Sequence, residues 1–361
     1  MEMTLRWFGP KHDSVTLGQI RQIPGVGGVI TTLYDKMHGE VWERREVKEL
    51  REAVLAAGLR VSGIESVNIH DAIKAGMPER DMYIENYIRS LEALGQEGID
   101  LVCYNFMPVF DWTRSNLSKP RADGSTVLSY DQELIDGIDP DKIFDSMQAD
   151  SNGFMLPGWE PERLSRISEL FAVYREVTEE NLFQNLEYFL NAIMPVCERY
   201  GIRMAIHPDD PAWPVFGLPR IITNSDNLQR FTSMVDNPLS GVTLCTGSLG
   251  SNPDNDIPSI IRALGDRIHF AHVRNLAYIG AGKFDEASHL SSDGSLDMYE
   301  IVKALYDIGF SGPVRPDHGR AIWGETSMPG YGLYDRALGA AYINGLYEAI
   351  EKNDKRSFAK A

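Results

Sequence analysis

Four residues with the side chains of metal ligands recur at matching points in the second half of the sequence. They are His207, Cys245, His272 and Asp317, each in or just after a short apolar run. Taken singly, a buried histidine or cysteine is more often part of a core than a ligand. Two imidazoles, a thiolate and a carboxylate at four successive runs instead indicate a site for a divalent ion. The donor types leave its identity open, because cysteine with histidine suits zinc, whereas an open site with a carboxylate also suits manganese or iron.

His269 and His272 compete for one place in this set. Because they are three residues apart, they face opposite sides of a regular strand, and only one can reach the other candidates. We predict His272, which is nearer to the carboxyl end of its run.

For these ligands to meet, the apolar runs must be neighbouring parallel strands. Eight runs are predicted as strands: Thr4–Gly9, Gly28–Leu33, Arg60–Ser66, Asp100–Phe106, Arg203–Pro208, Val242–Ser248, Ile268–Asn275 and Pro313–His318. Most are continuous apolar runs, which are typical of strands buried on both faces. Eight βα units in one chain favour a closed (β/α)₈ TIM barrel, an α/β fold in which the strand ends surround one mouth.

The segments between these strands have apolar residues at helical spacing. In one of them, Leu182, Leu186 and Phe189 follow Thr178, a residue type that often caps the start of a helix. Pro195 lies farther along the same segment, and we expect it to kink or shorten the helix.

One spacing between strands is longer than the others and predicts an insertion after strand four. Residues 107–178 contain a loop rich in Pro, Gly and Asp and the apolar spacing of one extra helix. Since the active sites of such barrels lie at the carboxyl ends of the strands, a long loop there is typically a lid or a substrate wall. We predict one barrel domain over residues 1–350 that includes this insertion, and a polar C-terminal tail at 351–361.

Length, composition and charge exclude several classes of protein. A chain of 361 residues can form one large barrel or two ordinary domains without a disulfide or metal staple. With 43% hydrophobic and 24% charged residues, it is not a disordered, collagen-like or coiled-coil chain. A formal charge of −17 opposes binding to nucleic acid or to an anionic membrane. An anionic substrate would therefore need a local metal ion or an arginine cluster.

The sequence also gives expectations about location and assembly. Three cysteines are too few for a disulfide framework, and the N-terminus has no apolar signal core. No apolar run reaches the ~18 residues of a membrane-spanning helix. We expect a protein of the reducing cytoplasm. Barrels of this type often form homo-oligomers, but the sequence identifies no interface.

Other residues near predicted strand ends carry weaker signals. Glu65 ends strand three and Asn105 lies at the end of strand four, and each could face the site or serve only the structure. Glycines on both sides of Tyr331 indicate a segment that brings a phenol to the mouth, whereas Tyr334 is typical of the start of the last helix. No Walker loop, GxSxG elbow or dinucleotide-binding glycine fingerprint occurs, which disfavours an NTPase, a serine hydrolase and a nicotinamide enzyme.

The sequence resembles the mannonate dehydratase family of hexuronate catabolism over nearly its whole length. The segments that carry the resemblance are Arg6–Gly9, Tyr104–Arg114, Ala205–Pro211, Leu244–Gly250, His269–Asn275, Arg315–Arg320 and Pro329–Arg336. Together these segments are specific, although no short one would be. The resemblance implies a xylose-isomerase-like barrel, one bound Mn²⁺ or Fe²⁺ ion, and conversion of D-mannonate to 2-keto-3-deoxy-D-gluconate and water.

The resemblance also assigns roles to residues. The metal ligands of the family fall on the set already indicated by strand position: His207, Cys245, His272 and Asp317. The catalytic histidine falls on His318 and the catalytic tyrosine on Tyr331, with Tyr334 as the alternative.

Loss of water from D-mannonate requires a base for the C2 proton, an acid for the C3 hydroxyl and stabilisation of the enediolate by a Lewis acid. We assign Tyr331 as the base and His318 as the acid, although the sequence allows the reverse. Because a free phenol has a pKa of ~10, Tyr331 would need nearby positive charge from the metal ion, Arg320 or Arg336. The predicted polar contacts to the substrate are Asn105, Arg274, Asn275 and Arg320, and the first three could equally be hydrogen-bond partners of the metal ligands.

Two other functions stay open at this point. A metal-dependent sugar isomerase or epimerase could use the same barrel, but its metal site would more typically consist of carboxylates, and Cys245 argues against it. A non-catalytic protein that binds sugar acids would hold a structural zinc with four protein ligands and no open position.

Overall fold

The structure is a computed structural model that describes residues 1–138, 150–156 and 166–358. Within these residues the chain forms twelve strands: β1 (Glu2–Arg6), β2 (Val26–Thr31), β3 (Arg60–Glu65), β4 (Leu101–Tyr104), β5 (Asn116–Pro120), β6 (Thr126–Asp131), β7 (Arg203–Ile206), β8 (Ser240–Cys245), β9 (Ile268–His272), β10 (Leu276–Gly280), β11 (Lys283–Glu286) and β12 (Pro313–Arg315). The α-helices in the same residues are α1 (Leu17–Arg21), α2 (Arg44–Ala56), α3 (Asp71–Lys74), α4 (Arg80–Gln96), α5 (Gln132–Asp136), α6 (Ile167–Tyr174), α7 (Glu179–Tyr200), α8 (Ser225–Met234), α9 (Thr246–Gly250), α10 (Ile257–Leu264), α11 (Met298–Asp307) and α12 (Leu333–Phe358).

Eight of the strands form a closed parallel barrel, which confirms the predicted fold. The order around the barrel is β1-β2-β3-β4-β7-β8-β9-β12, and β12 pairs with β1 to close the ring. Each strand ends one to three residues earlier than the sequence predicted. Cys245 and His272 are therefore the last residues of their strands, whereas His207, Asp317 and His318 lie in the loops that follow.

The barrel interior is filled with side chains. Residues from four strands form a separate buried cluster: Ile30, Leu101, Cys103, Ala205 and Phe270. Such a packed interior closes the barrel below its mouth, as is typical of this fold. Any substrate must therefore bind at the carboxyl ends of the strands rather than pass through.

Helix α7 shows how local sequence fixes an element against the barrel. The Thr178 side chain accepts a hydrogen bond from the backbone of Asn181 at the predicted start, and Gly201 ends the helix with φ of 68°. Leu186 and Phe189 lie on its fully buried face. Pro195 lies inside the helix, which continues to Tyr200, so the expected shortening does not occur.

The sequence did not predict a second sheet. Strands β5 and β6 of the insertion pair with β10 and β11, which follow β9, in the antiparallel order β10-β11-β6-β5. We call these four strands the auxiliary sheet. It joins the loops of two barrel strands that are not neighbours. The extra helix predicted in the insertion is α6, and residues 139–149 and 157–165 of the insertion lie outside the described residues.

The C-terminal helix crosses the predicted end of the domain. Helix α12 runs from Leu333 to Phe358, so most of the segment predicted as a polar tail continues this helix, while residues 359–361 lie outside the described part. In the part of the chain that the structure describes, no helix combines the length and the apolar character that crossing a membrane requires.

Candidate active site

The ends of neighbouring strands bring the predicted metal ligands together. Ligand atoms of His207, Cys245 and His272 all lie within 4.8 Å of one another. Asp317 adjoins this group, with Oδ2 at 3.6 Å from the Cys245 sulfur and Oδ1 at 3.7 Å from His272 Nδ1. Its backbone has φ of 60°, a left-handed conformation that costs a non-glycine residue roughly 1 kcal/mol or more. His269, in contrast, lies with Nδ1 at 3.2 Å from the carbonyl oxygen of Met204.

The Cys245 side chain is surrounded by groups that favour the thiolate. Its sulfur accepts hydrogen bonds from the Ser248 backbone at 3.4 Å and from the Ser248 hydroxyl at 3.0 Å. Burial raises the pKa of the Cys245 thiol, but Arg274 together with His207 and His272 more than offsets this and holds it well below its usual range. Because the thiolate is the form that ligates metals, this donor set fits a divalent ion.

A second group of possible ligands is less suited to a cation. Ligand atoms of Glu65, Cys103 and His272 also lie within 4.8 Å of one another. However, Glu65 accepts a hydrogen bond from Arg315 at 3.0 Å and lies 4.0 Å from an Arg6 nitrogen. Burial and the Glu65 charge raise the pKa of Cys103 well above its usual value, so it stays a thiol. Two nearby guanidinium groups and a neutral thiol disfavour a metal ion there.

The two predicted catalytic residues form a direct pair beside the ligand group. His318 Nε2 lies 3.0 Å from the Tyr331 hydroxyl, and His318 Nδ1 lies 2.8 and 3.1 Å from the two carboxylate oxygens of Glu286. Since a carboxylate only accepts, it favours the tautomer with the proton on Nδ1, and Nε2 then accepts from the phenol. Glu286 ends β11, so the auxiliary sheet brings this carboxylate to the site.

Glu286 belongs to a buried group of charges that the sequence did not predict. Arg114 donates to Asp210 at 2.7 Å and to Glu286 at 2.6 Å, and Arg274 donates to the same two carboxylates. Burial raises the pKa of Glu286, but His318, Arg274 and Arg114 overcome this effect and lower it to about 2. The carboxylate is therefore ionised at neutral pH, and two arginines hold it against the imidazole.

A cavity of about 70 Å³ lies at the mouth of the barrel. His207, Asp317, His318 and Tyr331 line it, so it contains both the ligand group and the proposed acid–base pair. Tyr334 does not line it; this residue is 41% exposed and contacts the ring of Trp323. Of the two tyrosines, the structure thus places Tyr331 at the site.

The four residues predicted to contact the substrate have different positions relative to the cavity. Asn105 lines the cavity, and its side-chain oxygen accepts a hydrogen bond from the Met107 backbone at 3.2 Å. Arg274 lies behind the ligand group instead, where its Nε lies 2.7 Å from Asp317. It is not among the residues that line the cavity, because its guanidinium faces the buried carboxylates.

Asn275 and Arg320 lie away from the cavity. The Asn275 side chain donates to the carbonyl of Leu290 and accepts from the backbone of Leu276, each at 2.9 Å, so it shapes the loop after β9. Arg320 pairs with Asp335 at 2.9 Å near the start of α12. These hydrogen bonds and this ion pair give no support to the predicted substrate contacts of Asn275 and Arg320.

Among the residues at the site that were not identified as candidates from the sequence are Arg6, Arg315 and Glu286. Arg6 ends β1 and Arg315 ends β12, and both line the cavity. The rule that found His272, a polar residue at the end of an apolar strand, applies equally to these two. Glu286 gave no comparable signal, because it lies in a short polar strand outside the barrel.

Comparison with known proteins gives consistent matches over the whole chain. A family model described as D-mannonate dehydratase (UxuA) matches residues 1–357. The mannonate dehydratase of Brachyspira hyodysenteriae is 68% identical over 355 residues, which cover 98% of this chain and 100% of that protein. The crystal structure of mannonate dehydratase from Streptococcus suis serotype 2 matches with a TM-score of 0.89 at 45% identity, covering 98% of this chain and 96% of the other.

A more distant likeness concerns the fold alone. The crystal structure of a xylose isomerase domain protein from Planctomyces limnophilus matches with a TM-score of 0.55 at 13% identity, covering 97% of this chain and 98% of the other. The predicted xylose-isomerase-like TIM barrel is therefore confirmed.

Proposed function

This chain belongs to the D-mannonate dehydratase family and, as a hydro-lyase, converts D-mannonate to 2-keto-3-deoxy-D-gluconate and water; from that premise we propose how its residues carry out the reaction. Membership in this family argues against both alternatives, the sugar isomerase or epimerase and the non-catalytic binding protein. The observation on which the mechanism depends is the chain of hydrogen bonds from Glu286 through His318 to Tyr331 beside the ligand group.

One divalent ion per chain, Mn²⁺ or Fe²⁺, completes the proposed site. The residues that would hold it are His207, Cys245, His272 and Asp317. When bound, the ion supplies Lewis-acid stabilisation of the charge that develops on the substrate as the C2 proton leaves. The lowered pKa of Cys245 supports this assignment, because the thiolate is the form of cysteine that ligates metal ions.

His318 is the base in the proposed mechanism. Its Nε2 accepts the C2 proton of D-mannonate, and Glu286 at Nδ1 stabilises the imidazolium that forms. Glu286 also keeps the proton of the neutral imidazole on Nδ1, so Nε2 is the nitrogen that can accept the C2 proton.

Tyr331 is the acid. Burial raises the pKa of its phenol above the usual value, although Arg315 acts in the opposite direction, so the group stays protonated at neutral pH. It donates its proton to the C3 hydroxyl, which leaves as water. This assignment is the reverse of the one made from the sequence, which did not identify Glu286 as a partner of His318. Of the four polar contacts to the substrate that the sequence predicted, we propose Asn105, because it lines the cavity.

Metal dependence is tested by reconstitution. The protein is stripped with a chelator, Mn²⁺, Fe²⁺ or Zn²⁺ is added separately under reducing conditions, and formation of the 2-keto acid is measured. We expect activity with Mn²⁺ or Fe²⁺ and little with Zn²⁺. Full activity in the stripped protein, at a metal content below one atom per ten chains, would contradict the proposed metal site.

The order of acid and base is tested by isotope exchange. D-mannonate is incubated in D₂O with each variant, and deuterium at C2 of the recovered substrate is measured. Tyr331→Phe should exchange the C2 proton without forming the keto acid, because only the departure of water is blocked. His318→Asn should do neither. The opposite pattern would support Tyr331 as the base.

We also propose that the protein acts in the cytoplasm. All three cysteines are buried and free, and one of them is a proposed metal ligand. A reduced thiol of this kind suits the cytoplasm, where thiols are kept reduced. The negative charge of the chain gives no support to a nucleic acid or membrane partner.

A further inference from the structure

Two arginines at the mouth of the barrel have no role in the mechanism so far. Arg6 ends β1 and Arg315 ends β12, and these strands are neighbours where the barrel closes. Both side chains are buried, at 5% and 2% exposure, yet both line the same cavity as His318 and Tyr331. The N–H donors of a buried arginine are normally all hydrogen-bonded. Any donor without a partner therefore indicates what the cavity could bind.

These arginines have donors left over. Within the residues that the structure describes, Nη1 of Arg6 and both Nε and Nη1 of Arg315 have no hydrogen-bond partner. A buried N–H of a guanidinium is costly to leave unpaired, because water no longer solvates it. Unpaired cationic donors that line a cavity are typical of a site for an anion with several acceptor oxygens.

The positive charge of Arg6 is also the less neutralised of the two. Arg315 has carboxylate oxygens of Glu65 at 3.0 Å and Asp317 at 2.8 Å, whereas the one ion pair of Arg6 among the described residues is with Glu65, at 4.0 Å. Burial lowers the pKa of the Arg6 guanidinium, and Glu65 offsets only part of this effect. Arg6 therefore gains most from an added negative charge.

We infer that Arg6 and Arg315 form the site that binds the carboxylate of the sugar acid. This inference rests on the proposed function, because it takes D-mannonate as the ligand. It also answers how a chain with a net charge of −17 attracts an anionic substrate. The planar forks of the two guanidinium groups offer the paired N–H donors that a carboxylate accepts.

The same two side chains stabilise the transition state. When the base removes the C2 proton, the C–H electron pair forms a C1–C2 double bond, and the carboxylate gains a second negative charge. That pair then returns to form the C2–C3 double bond as the C3–O bond breaks, and the acid protonates the departing oxygen to give water. The enol that results tautomerises to the 2-keto acid. Fixed cations beside C1 favour the dianion more than the substrate, so they raise kcat as well as affinity.

The test uses Arg6, because Arg315 contacts Asp317, a proposed metal ligand. Arg6→Met keeps the apolar stem and removes the charge, and Arg6→Lys keeps the charge and removes the fork. Binding of D-mannonate and of D-mannonamide, whose C1 group is uncharged, is measured by calorimetry on the metal-loaded protein with His318→Asn added to every variant, so that D-mannonate is not consumed; kcat/KM is measured without that change. Arg267→Met is the matched control, since Arg267 donates to the Ser240 carbonyl at the opposite end of the barrel.

We expect Arg6→Met to weaken D-mannonate binding at least tenfold and to lower kcat/KM at least a hundredfold, while D-mannonamide binding changes less than twofold. Arg6→Lys should lie between wild type and Arg6→Met, which keeps the test usable if the methionine variant does not fold. Equal weakening of both ligands, or unchanged D-mannonate binding in either folded variant, would overturn the inference. Because the decisive comparison is binding, it is independent of turnover. Absence of the keto acid in the wild type would instead contradict the proposed function.

Discussion

Nδ1 of His318 lies 2.8 Å from a carboxylate oxygen of Glu286, a residue 32 positions earlier in the chain. The histidine follows the last barrel strand, and the glutamate ends β11 of the auxiliary sheet. The imidazole is thus held between a carboxylate on one side and the Tyr331 hydroxyl on the other. Its orientation therefore depends on the auxiliary sheet as well as on the barrel.

The Glu286 contact predicts a loss of rate rather than of binding. In Glu286→Gln, the amide can turn its NH₂ group towards Nδ1 and favour the wrong tautomer of His318. We expect kcat to fall by about 10²-fold or more, as for other carboxylates that orient a catalytic histidine, with little change in KM. Asp285→Asn is the control, because Asp285 is the neighbouring residue on β11 and pairs with Lys119. Steady-state kinetics of both variants decide the matter; equal losses would point to damage to the sheet.

Removal of the proposed thiolate ligand should empty the metal site. Cys245→Ala is expected to retain less than about one-tenth of the metal content and of the activity, because the site loses its strongest anionic donor. Cys197→Ala removes an equally buried thiol from α7 and should cost only about 1 kcal/mol of stability while keeping both properties. Metal analysis after dialysis, alongside thermal unfolding, separates the two effects. A fully metallated Cys245→Ala protein would exclude this residue as a ligand.

The phenol of Tyr331 can be removed with little change in packing. Its ring contacts Phe8 edge-on at 4.9 Å, and a phenylalanine would keep that contact. Tyr331→Phe should therefore unfold at nearly the wild-type temperature, while kcat falls by roughly 10²- to 10⁴-fold. In the matched variant Tyr334→Phe, turnover should be unchanged, because this side chain does not line the cavity. Loss of activity in Tyr334→Phe alone would reverse the choice between the two tyrosines.

His269 predicts a pH dependence of stability that is separate from catalysis. Burial lowers its pKa from 6.5 to about 4, so the folded state resists protonation. Its contribution is complete above pH 6.5 and is lost as the pH falls towards 4, since the unfolded chain binds the proton first. The loss amounts to about 3 kcal/mol in total, at up to about 1.4 kcal/mol per pH unit.

Urea unfolding of the wild type and of His269→Gln at pH 7 and pH 4.5 measures this contribution. The glutamine amide can still donate to the carbonyl of Met204, the group that faces His269 in the wild type. We expect the difference in unfolding free energy between the two pH values to be smaller in the variant. Parallel losses in both proteins would assign the pH dependence to other groups.

The barrel was predictable because its signals are local. Each parallel strand is a short apolar run, and the closed topology brings the strand ends together wherever they stand in the sequence. For that reason the positions of His207, Cys245 and His272 could be inferred from spacing, and the structure brings them within 4.8 Å. The assignment of these residues as ligands remains a prediction.

The auxiliary sheet was not predictable, since its register is set by pairing between distant segments. Strand β11 is a short segment with two acidic residues, and only its alignment with β6 gives it a structure. The buried arginines were missed for another reason. Their position at strand ends was a usable signal, but a charged residue is usually exposed, and the sequence does not show that carboxylates such as Glu65 hold Arg6 and Arg315 inside.

The auxiliary sheet also makes catalytic activity depend on a long-range folding step. Its central pairing places Lys283 opposite Asp131, and because these segments are far apart in the chain, closing the loop between them is slower than forming a local helix. Until they meet, Glu286 cannot reach His318, even if every barrel strand is in place. A refolding chain should therefore regain the signal of its local helices first and its catalytic activity only after this pairing has formed.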